Sequence, residues 1–426
     1  MTEKTISNDH DKMRLAREEL QKRMHRSVVT ALEVCAHCGV CAETCHYYLA
    51  TKDIQISPVA KADRVRRVYK RHHDWLSRLF PAWTGARELT ADELDAWVEV
   101  AYRNCTLCDR CLMNCPLAVD TAQILSAARG VLTAAGKAPE ILVQLADAAI
   151  AREENLDFFK EFYLEQLKEL ETEVQARLGN GQARIPVDVE GARFLYVPLS
   201  GAHTITPAAT IFNAVGESWT ISMFEAANYA TYLADVPKAK RIAQRILTEA
   251  ERLKVQEIII TECGHAYHAM RWEAPKWFGG PLPFRVRSII EVLDEYVRTG
   301  RLHLNPANNP EPVTLHDSCN LGRKAGLFEE PRRVVQAAAQ DFREMTPNRE
   351  RNFCCGAGSG LVAILEWQDM RLKAGQPKAE QIRTTGASVV ITSCDNCRLQ
   401  ITELNEHYGL NVQVMGLAEL VVKALP

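Results

Sequence analysis

The sequence predicts a mainly helical region followed by an α/β region built around a parallel sheet. Three observations predict this combination. In the first part of the chain, apolar residues recur every three to four positions, as amphipathic helices require. From residue 193 onward, short runs rich in Val and Ile alternate with helical stretches. The 14 cysteines are grouped at predicted loops of both regions instead of being scattered.

The composition is that of an ordinary globular protein with more than one domain. At about 100–200 residues per domain, 426 residues predict two to four domains. The net charge of −3 argues against a nucleic-acid-binding protein, which usually has a strong basic excess. No apolar run is long enough for a transmembrane segment, and the polar N-terminus lacks the apolar core of an export signal. We therefore expect a cytoplasmic protein whose thiols stay reduced and bind metal.

Residues 1–137 are predicted to form a helical domain. Residues 1–34 are charged and helical in pattern, and residues 61–75 form a strongly basic helix. A further helix is expected after Thr90, which would cap its N-terminus with Glu93 as the partner in a capping box. The cysteine-rich segments lie on loops between these helices.

A helical connector is predicted over residues 138–190, where an amphipathic pattern ends at the Gly- and Pro-containing segment 179–186. Residues 191–426 form the α/β domain, with helices predicted over 238–254 and 379–386. The predicted strands lie within residues 192–200, 255–263, 312–319, 387–394 and 411–416.

The α/β domain is predicted to be duplicated. Residues 238–266 and 378–397 share one order: a helix, a buried strand, and then Thr-x-Cys. We therefore predict a pseudo-symmetric pair of repeats, a degenerate one over 193–300 and an intact one over 310–426. Their sites are expected at the carboxyl ends of the strands, where open α/β sheets usually bind ligands.

Two cysteine quartets have the spacing of the two-cluster bacterial ferredoxins, Cys-x2-Cys-x2-Cys-x3-Cys. Three closely spaced thiolates can hold one [4Fe–4S] cube, and the fourth points away to complete the other. His46 stands where the pattern has a proline, but that proline shapes a turn and ligates no iron. The two cubane clusters are thus assigned to Cys35, Cys38, Cys41 and Cys115, and to Cys105, Cys108, Cys111 and Cys45.

Zinc is the alternative occupant, but it typically takes two pairs of cysteines, which this spacing fits poorly. Crossed ligation brings the two cubes close enough for electron transfer. The helical domain is therefore expected to conduct electrons.

A third set of cysteines lies in the intact repeat: Cys319, the adjacent pair Cys354 and Cys355 followed by Gly356, and Cys394-x2-Cys397. Their chemistry alone indicates a thiolate-rich metal or redox site with more ligands than one metal ion requires.

The pattern Cys…Cys-Cys-Gly…Cys-x2-Cys resembles the CCG domain of the heterodisulfide reductase family. Residues 1–135 similarly resemble the helical two-cluster ferredoxin domain fused to it in the D-type subunit of that family. The resemblance implies a noncubane [4Fe–4S] cluster that cleaves disulfides. Its ligands here would be Cys319, Cys354, Cys355, Cys394 and Cys397.

The degenerate repeat keeps only Cys263 of the five positions, in the segment Thr-Glu-Cys-Gly-His-Ala, so one noncubane cluster is predicted. Cys263 is either an extra thiol facing the cluster or a buried space-filling residue. His265 is either a proton donor to a leaving thiolate or a structural histidine.

This single-site form is similar to the DsrK and TmcB type of the family, found in sulfur-metabolising microbes. That type lies on the cytoplasmic face of membrane-bound redox complexes. The implied partners are a haem-b membrane subunit, other subunits of a respiratory complex, and a small sulfur-carrier protein bearing a disulfide or trisulfide.

Two other classes of function remain open. CCG domains also resemble those of electron-transfer subunits in quinone-linked dehydrogenase complexes, where a separate flavin subunit performs catalysis. A zinc-stabilised scaffold is the second alternative. The physiological disulfide and the direction of electron flow are not indicated by the sequence.

Overall fold

A computed structural model describes residues 9–426, so residues 1–8 of the predicted helical stretch 1–34 lie outside the described part. Within residues 9–426, no helix combines the length and the apolar character needed to cross a bilayer. The chain folds into two compact units. The first unit comprises residues 9–144, Tyr229–Asp235 and Phe353–Lys378. The second comprises Leu145–Asn228, Val236–Asn352 and Ala379–Pro426.

The first half of the chain is helical, as predicted. Its helices are α1 (Asp9–Arg23), α2 (Arg26–Val34), α3 (His46–Thr51), α4 (Pro58–His73), α5 (Trp75–Leu79), α6 (Pro81–Thr84), α7 (Ala91–Val98), α8 (Arg110–Met113), α9 (Thr121–Ala134), α10 (Glu140–Glu154) and α11 (Leu156–Leu178). A π-helical turn over Glu99–Arg103 leads into the second cysteine quartet. Such turns are rare and often accompany functional sites.

Helix α7 begins where the sequence predicts, but its capping box is incomplete. The side chain of Thr90 accepts a hydrogen bond from the backbone N–H of Glu93 at 3.2 Å, which is the first half of the box. The buried Glu93 carboxylate instead faces two guanidinium groups, 3.7 Å from Arg64 and 3.6 Å from Arg87. The charge of Glu93 is thus compensated by arginines from two neighbouring segments.

The side chain of Arg129 on α9 links the three chain segments of the first unit. Its side chain is fully buried. It donates hydrogen bonds to the backbone carbonyls of Ala101 and Cys105, both at 2.8 Å, and of Tyr232 and Ser359, at 3.3 and 3.4 Å. A single cation therefore satisfies carbonyl groups on all three segments of the first unit.

The second unit contains two parallel sheets with helices between the strands. Its strands are β1 (Phe194–Val197), β2 (Trp219–Ile221), β3 (Glu257–Ile260), β4 (Arg285–Ser288), β5 (Val313–His316), β6 (Val389–Thr392) and β7 (Gln413–Met415). The helices beyond α11 are α12 (Ala202–Ala214), α13 (Val236–Arg252), α14 (Gly264–His268), α15 (Ala274–Phe278), α16 (Ile289–Arg298), α17 (Glu329–Ala338), α18 (Gln368–Thr385), α19 (Asp395–Tyr408) and α20 (Leu417–Lys423).

The two sheets have a common plan. One has the strand order β2-β1-β3-β4 and the other β5-β6-β7, and all neighbouring strands are parallel. In each sheet, an inner strand (β3 or β6) leads into Thr-x-Cys, and the cysteine occupies the N-cap position of the following helix. The first sheet has one more strand, β2, than the second. The duplication itself stays a prediction.

Buried aliphatic and aromatic side chains from both sheets form one continuous core in the second unit. At its boundary, the Asp294 carboxylate on α16 accepts hydrogen bonds from Arg333 on α17 at 2.6 and 3.0 Å. This ion pair joins α16, which follows β4 of the first sheet, to α17, which follows β5 of the second sheet.

Candidate metal centres

The two cysteine quartets of the first unit line two separate cavities. Cys35, Cys38 and Cys41 share the first cavity with Cys115. The second cavity is lined by the thiols of Cys45, Cys105, Cys108 and Cys111. None of the 14 cysteines is in a disulfide. The folded chain thus groups the thiols in the crossed manner that the ferredoxin spacing predicts.

The loops that carry these thiols contain residues in the left-handed backbone conformation. His37, Leu107 and Asp109 have φ values of 55°, 50° and 61°. These conformations direct backbone N–H groups toward sulfur. The backbone nitrogen of Leu107 lies 3.4 Å from Cys105 Sγ and donates a hydrogen bond to it. Hydrogen bonds of this kind stabilise thiolates and tune the potential of the metal site that they bind.

In the second cavity, the cysteines become thiolates only if positive charge lies nearby, because burial disfavours charged sulfur. Burial raises the pKa of the Cys105 and Cys111 thiols above their ordinary value. The buried ammonium of Lys61 lies 3.8 Å from Cys45 Sγ and donates a hydrogen bond to the Asn104 carbonyl at 2.5 Å. Four thiols around one space, with their charge only partly compensated, fit a cationic iron–sulfur core.

The first cavity is closer to solvent than the second. Cys38 is exposed, whereas Cys45 of the second quartet is buried. Burial raises the pKa of Cys41 to about 11. Cys38 is therefore the most accessible thiol of the two quartets.

Cys354 of the third cysteine set lies beside the second quartet, within the first unit. The sulfurs of Cys354 and Cys108 and one ring nitrogen of His46 all lie within 4.8 Å of one another. The Cys354 sulfur also hydrogen-bonds to the Thr106 hydroxyl at 3.4 Å. Ser359 donates a hydrogen bond to the Thr106 carbonyl at 2.7 Å, which anchors the loop after Cys355.

The second unit carries Cys319, Cys394 and Cys397 at the carboxyl edge of its second sheet. Cys319 follows β5, Cys394 follows β6, and Cys397 lies in the first turn of α19; all three are buried. Cys354 and Cys355 belong to the first unit. Their joint ligation of one cluster stays a prediction.

Cys263 lies close to Cys394 within the second unit. The backbone N–H of Gly264 bonds to the Cys394 sulfur, and a Cβ at Gly264 would lie only 2.8 Å from Ser318 Oγ. A side chain at this position would therefore collide with Ser318. The loops after β3, β5 and β6 meet here, so Cys263 faces the same region as Cys394.

The two neighbouring thiols have opposite electrostatic tendencies. Hydrogen bonds from Cys397, from the Gly264 amide and from Ser318 lower the pKa of Cys394 to about 6. Burial and the adjacent Cys394 raise the pKa of Cys263 well above its ordinary value. The surrounding hydrogen bonds thus favour the thiolate form at Cys394, whereas burial disfavours it at Cys263.

His265 is held as a neutral, buried imidazole. Its Nε2 lies 2.8 Å from the carbonyl oxygen of Asn228, so this nitrogen donates a hydrogen bond to the backbone. Burial lowers the pKa of His265 to about 3. These features suit a structural histidine, and its predicted role as a proton donor remains a prediction.

Four residues near the metal centres were not found from the sequence as parts of a site. His46 gave a visible signal, because it replaces the usual proline. The sequence does not distinguish Lys61 from the other basic residues around it. The roles of Thr106 and Arg129 could not be predicted, because their partners are distant in the chain.

Comparisons with known proteins agree with this division of the chain. Residues 31–119 match the 4Fe-4S dicluster domain, and residues 313–402 match the cysteine-rich CCG domain. The Hdr-like menaquinol oxidoreductase iron-sulfur subunit 2 of Archaeoglobus fulgidus is 28% identical over 94% of this chain and 81% of the relative.

Two further relatives extend the comparison. The D-type subunit of dihydromethanophenazine:CoB–CoM heterodisulfide reductase from Methanosarcina mazei is 24% identical over 92% of this chain and 94% of the relative. The EtfAB:quinone oxidoreductase of Syntrophomonas wolfei is 29% identical, but over only 39% of this chain and 24% of the relative.

The fold, the grouped thiols and these matches define an iron–sulfur oxidoreductase subunit in which a dicluster domain is followed by a CCG domain. Within that class, the chain is similar to the iron–sulfur subunit of the Hdr-like menaquinol oxidoreductase and to the D-type subunit of heterodisulfide reductase.

Proposed function

We propose that this protein is the catalytic iron–sulfur subunit of a membrane-bound redox complex and reduces, or in reverse forms, a disulfide or trisulfide. The observation that carries the proposal is the approach of Cys354 to Cys108 and His46, within 4.8 Å. A cysteine of the CCG motif is thereby next to a ligand position of the second quartet. This contact supports electron transfer from the quartets to the CCG cysteines.

The proposed cofactors are two cubane [4Fe–4S] clusters and one noncubane [4Fe–4S] cluster. The quartets would hold the cubanes. The noncubane cluster would be held by Cys319, Cys354, Cys355, Cys394 and Cys397. When bound, it supplies iron that can hold substrate sulfur while the S–S bond is reduced by two electrons and two protons to two thiols.

The chain's own residues support this chemistry by preparing the thiols. Ser318 and the Gly264 amide hydrogen-bond to Cys394 and keep it available as a thiolate ligand. Thr106 fixes the Cys354 side chain. Buried surroundings at both places exclude water, so the proton needed by each product thiol must come with the substrate or through the protein.

We further propose that the protein is peripheral on the cytoplasmic face of the membrane, with a haem-b membrane subunit and a small sulfur-carrier protein as partners. One surface of the first unit supports membrane contact. Trp75, Leu79, Phe80 and Trp83 expose 69%, 64%, 56% and 78% of their area on and beside α5 and α6. Exposed tryptophans of this kind prefer the membrane–water interface.

A second function is an electron-transfer role in a quinone-linked dehydrogenase complex, without disulfide chemistry in this chain. The partial similarity to an EtfAB:quinone oxidoreductase favours this alternative. It predicts no disulfide turnover in any preparation, together with electron exchange with a flavoprotein.

The decisive experiment measures iron content and disulfide-reductase turnover of anaerobically purified protein. The wild type should contain about twelve irons per chain, four for each cluster. Cys355→Ser and Cys319→Ser should each contain about eight and lose turnover. Cys263→Ser is the matched control, since this buried thiol is not one of the five proposed ligands, and should keep all the iron. A wild type with about eight irons, or turnover that survives in Cys355→Ser, would refute the proposal.

A further inference from the structure

His46 occupies a position where a metal-site loop normally has a proline, and its surroundings give it a specific contact. The residue is 2% exposed and begins α3 directly after Cys45. Among residues 9–426, neither of its ring nitrogens has a hydrogen-bond partner of ordinary length and angle. A buried imidazole without such a partner is costly, because each buried polar group normally makes a hydrogen bond.

The sulfurs of Cys108 and Cys354 lie near the imidazole. One ring nitrogen lies within 4.8 Å of both of them. A neutral imidazole has one N–H in either tautomer, so it can donate to sulfur without becoming charged. Tyr47 packs against the ring at a centroid distance of 4.7 Å and limits its movement.

We propose that His46 is a positioning residue that donates its ring N–H to the sulfur of Cys108 and thereby raises the reduction potential of the second cubane cluster. The inference rests on the proposed assignment of Cys108 as a ligand of that cluster. A hydrogen bond to a ligating sulfur stabilises the more negative, reduced cluster. The second cubane would be the cluster next to Cys354. Its reduction potential would therefore determine how readily it is reduced before it passes an electron to the CCG cysteines.

A proline at this position would supply the turn but no donor, and the chain therefore offers a sharp set of variants. His46→Pro restores the common ferredoxin residue, and His46→Phe keeps a flat ring without an N–H. His46→Gln retains an N–H donor of similar reach. His25→Phe is the matched control, because His25 is exposed and its ring contacts the Ser27 hydroxyl at 3.0 Å, at the start of α2.

The experiment is a reductive titration of each full-length variant, followed by electron paramagnetic resonance, with iron content measured on the same sample. In His46→Pro and His46→Phe, the equilibrium constant for one-electron reduction of the second cluster should fall about tenfold, a shift of about 59 mV. The first cluster is the internal reference and should not shift. His46→Gln and His25→Phe should stay close to the wild type.

Two results would overturn the inference: an unshifted second cluster in both His46→Pro and His46→Phe at full cubane iron, or an equal shift in His46→Gln. The readout does not depend on disulfide turnover. If the noncubane cluster is lacking and the proposed catalytic function fails, the potential of the second cubane still tests His46 separately.

Discussion

The guanidinium of Arg332 forms a bidentate ion pair with the carboxylate of Asp317, with N–O distances of 2.8 and 2.9 Å. Both side chains are almost fully buried, at 3% and 2% exposure. Asp317 directly follows β5 and also accepts a hydrogen bond from the backbone N–H of Arg349 at 2.7 Å. The pair therefore fixes the loop that carries Cys319, two residues further on.

Breaking this pair should destabilise the second unit strongly. Arg332→Met leaves the Asp317 charge buried and unpaired, which costs about 3–5 kcal/mol of unfolding free energy. Urea unfolding followed by circular dichroism measures the change. Arg343→Met is the control, because its ion pair with Asp341 is 41% exposed on both sides and should contribute less than about 1 kcal/mol. Equal losses in the two variants would contradict the assignment.

Arg129→Met should destabilise the first unit and lower its iron content. The variant removes every hydrogen bond that the guanidinium donates to the carbonyls of Ala101, Cys105, Tyr232 and Ser359. Buried carbonyls left without a donor cost about 1–3 kcal/mol each, and partial access of water reduces the sum. We expect a loss of at least about 3 kcal/mol and of second-cluster iron. Arg14→Met, at an exposed ion pair with Glu18, should change neither quantity.

The buried His265 should make stability fall as the pH falls. Its pKa is about 3 in the folded protein but near 6.5 in the unfolded chain, so only the unfolded chain binds a proton between these values. The unfolding free energy should therefore decrease from about pH 6.5 toward pH 3, by up to about 1.4 kcal/mol per pH unit.

The variant His265→Gln should show a flatter pH dependence of urea unfolding than the wild type over this range. The exposed His303 is the control site, and His303→Gln should leave the slope unchanged. If the slopes of the wild type and His265→Gln coincide, the imidazole is not held neutral by burial.

The exposed aromatic surface should bind anionic lipid. Trp75 and Trp83 would enter the interface, and Arg71 and Arg78, which already bond to Glu88 and to the His72 carbonyl, add positive charge beside it. The protein should co-sediment with vesicles that contain phosphatidylglycerol and less with pure phosphatidylcholine. The double variant Trp75→Ala/Trp83→Ala should bind about tenfold more weakly, which is ~1.4 kcal/mol.

A matched double variant, Phe158→Ala/Phe162→Ala, removes equally exposed aromatic residues from α11, which are 81% and 73% exposed. It should bind as the wild type does. Absence of wild-type binding to either vesicle would assign the aromatic surface to a protein partner instead of lipid.

Of the seven strands within residues 9–426, the sequence predicted five, including the partly exposed β7, and missed β4 and the buried β2, which is only three residues long. β1, β3, β5 and β6 all lie within predicted segments, because a buried parallel strand is a continuous apolar run. It missed β4, whose residues Arg285 and Arg287 face the Glu257 carboxylate at 3.8 and 3.5 Å. An edge strand that pairs its charges in this way carries no apolar pattern.

The same distinction applies to the metal centres. The quartets could be predicted because most of each ligand set lies within a few residues, and short spacing determines local geometry. The approach of Cys354 to His46 could not be predicted, because it depends on the folded course of a chain segment far away in sequence. The low pKa of Cys394 could not be predicted either, because it depends partly on hydrogen bonds from Gly264 and Ser318, which lie on other loops.

The first unit is assembled from three stretches of chain, the last of which is Phe353–Lys378. During translation, the quartets therefore leave the ribosome long before the segment that completes their surroundings has been synthesised. Arg129 finds its Ser359 partner only after most of the polypeptide exists. Completion of this unit is thus a late event in the synthesis of the chain, and until then the quartets lack part of their final surroundings.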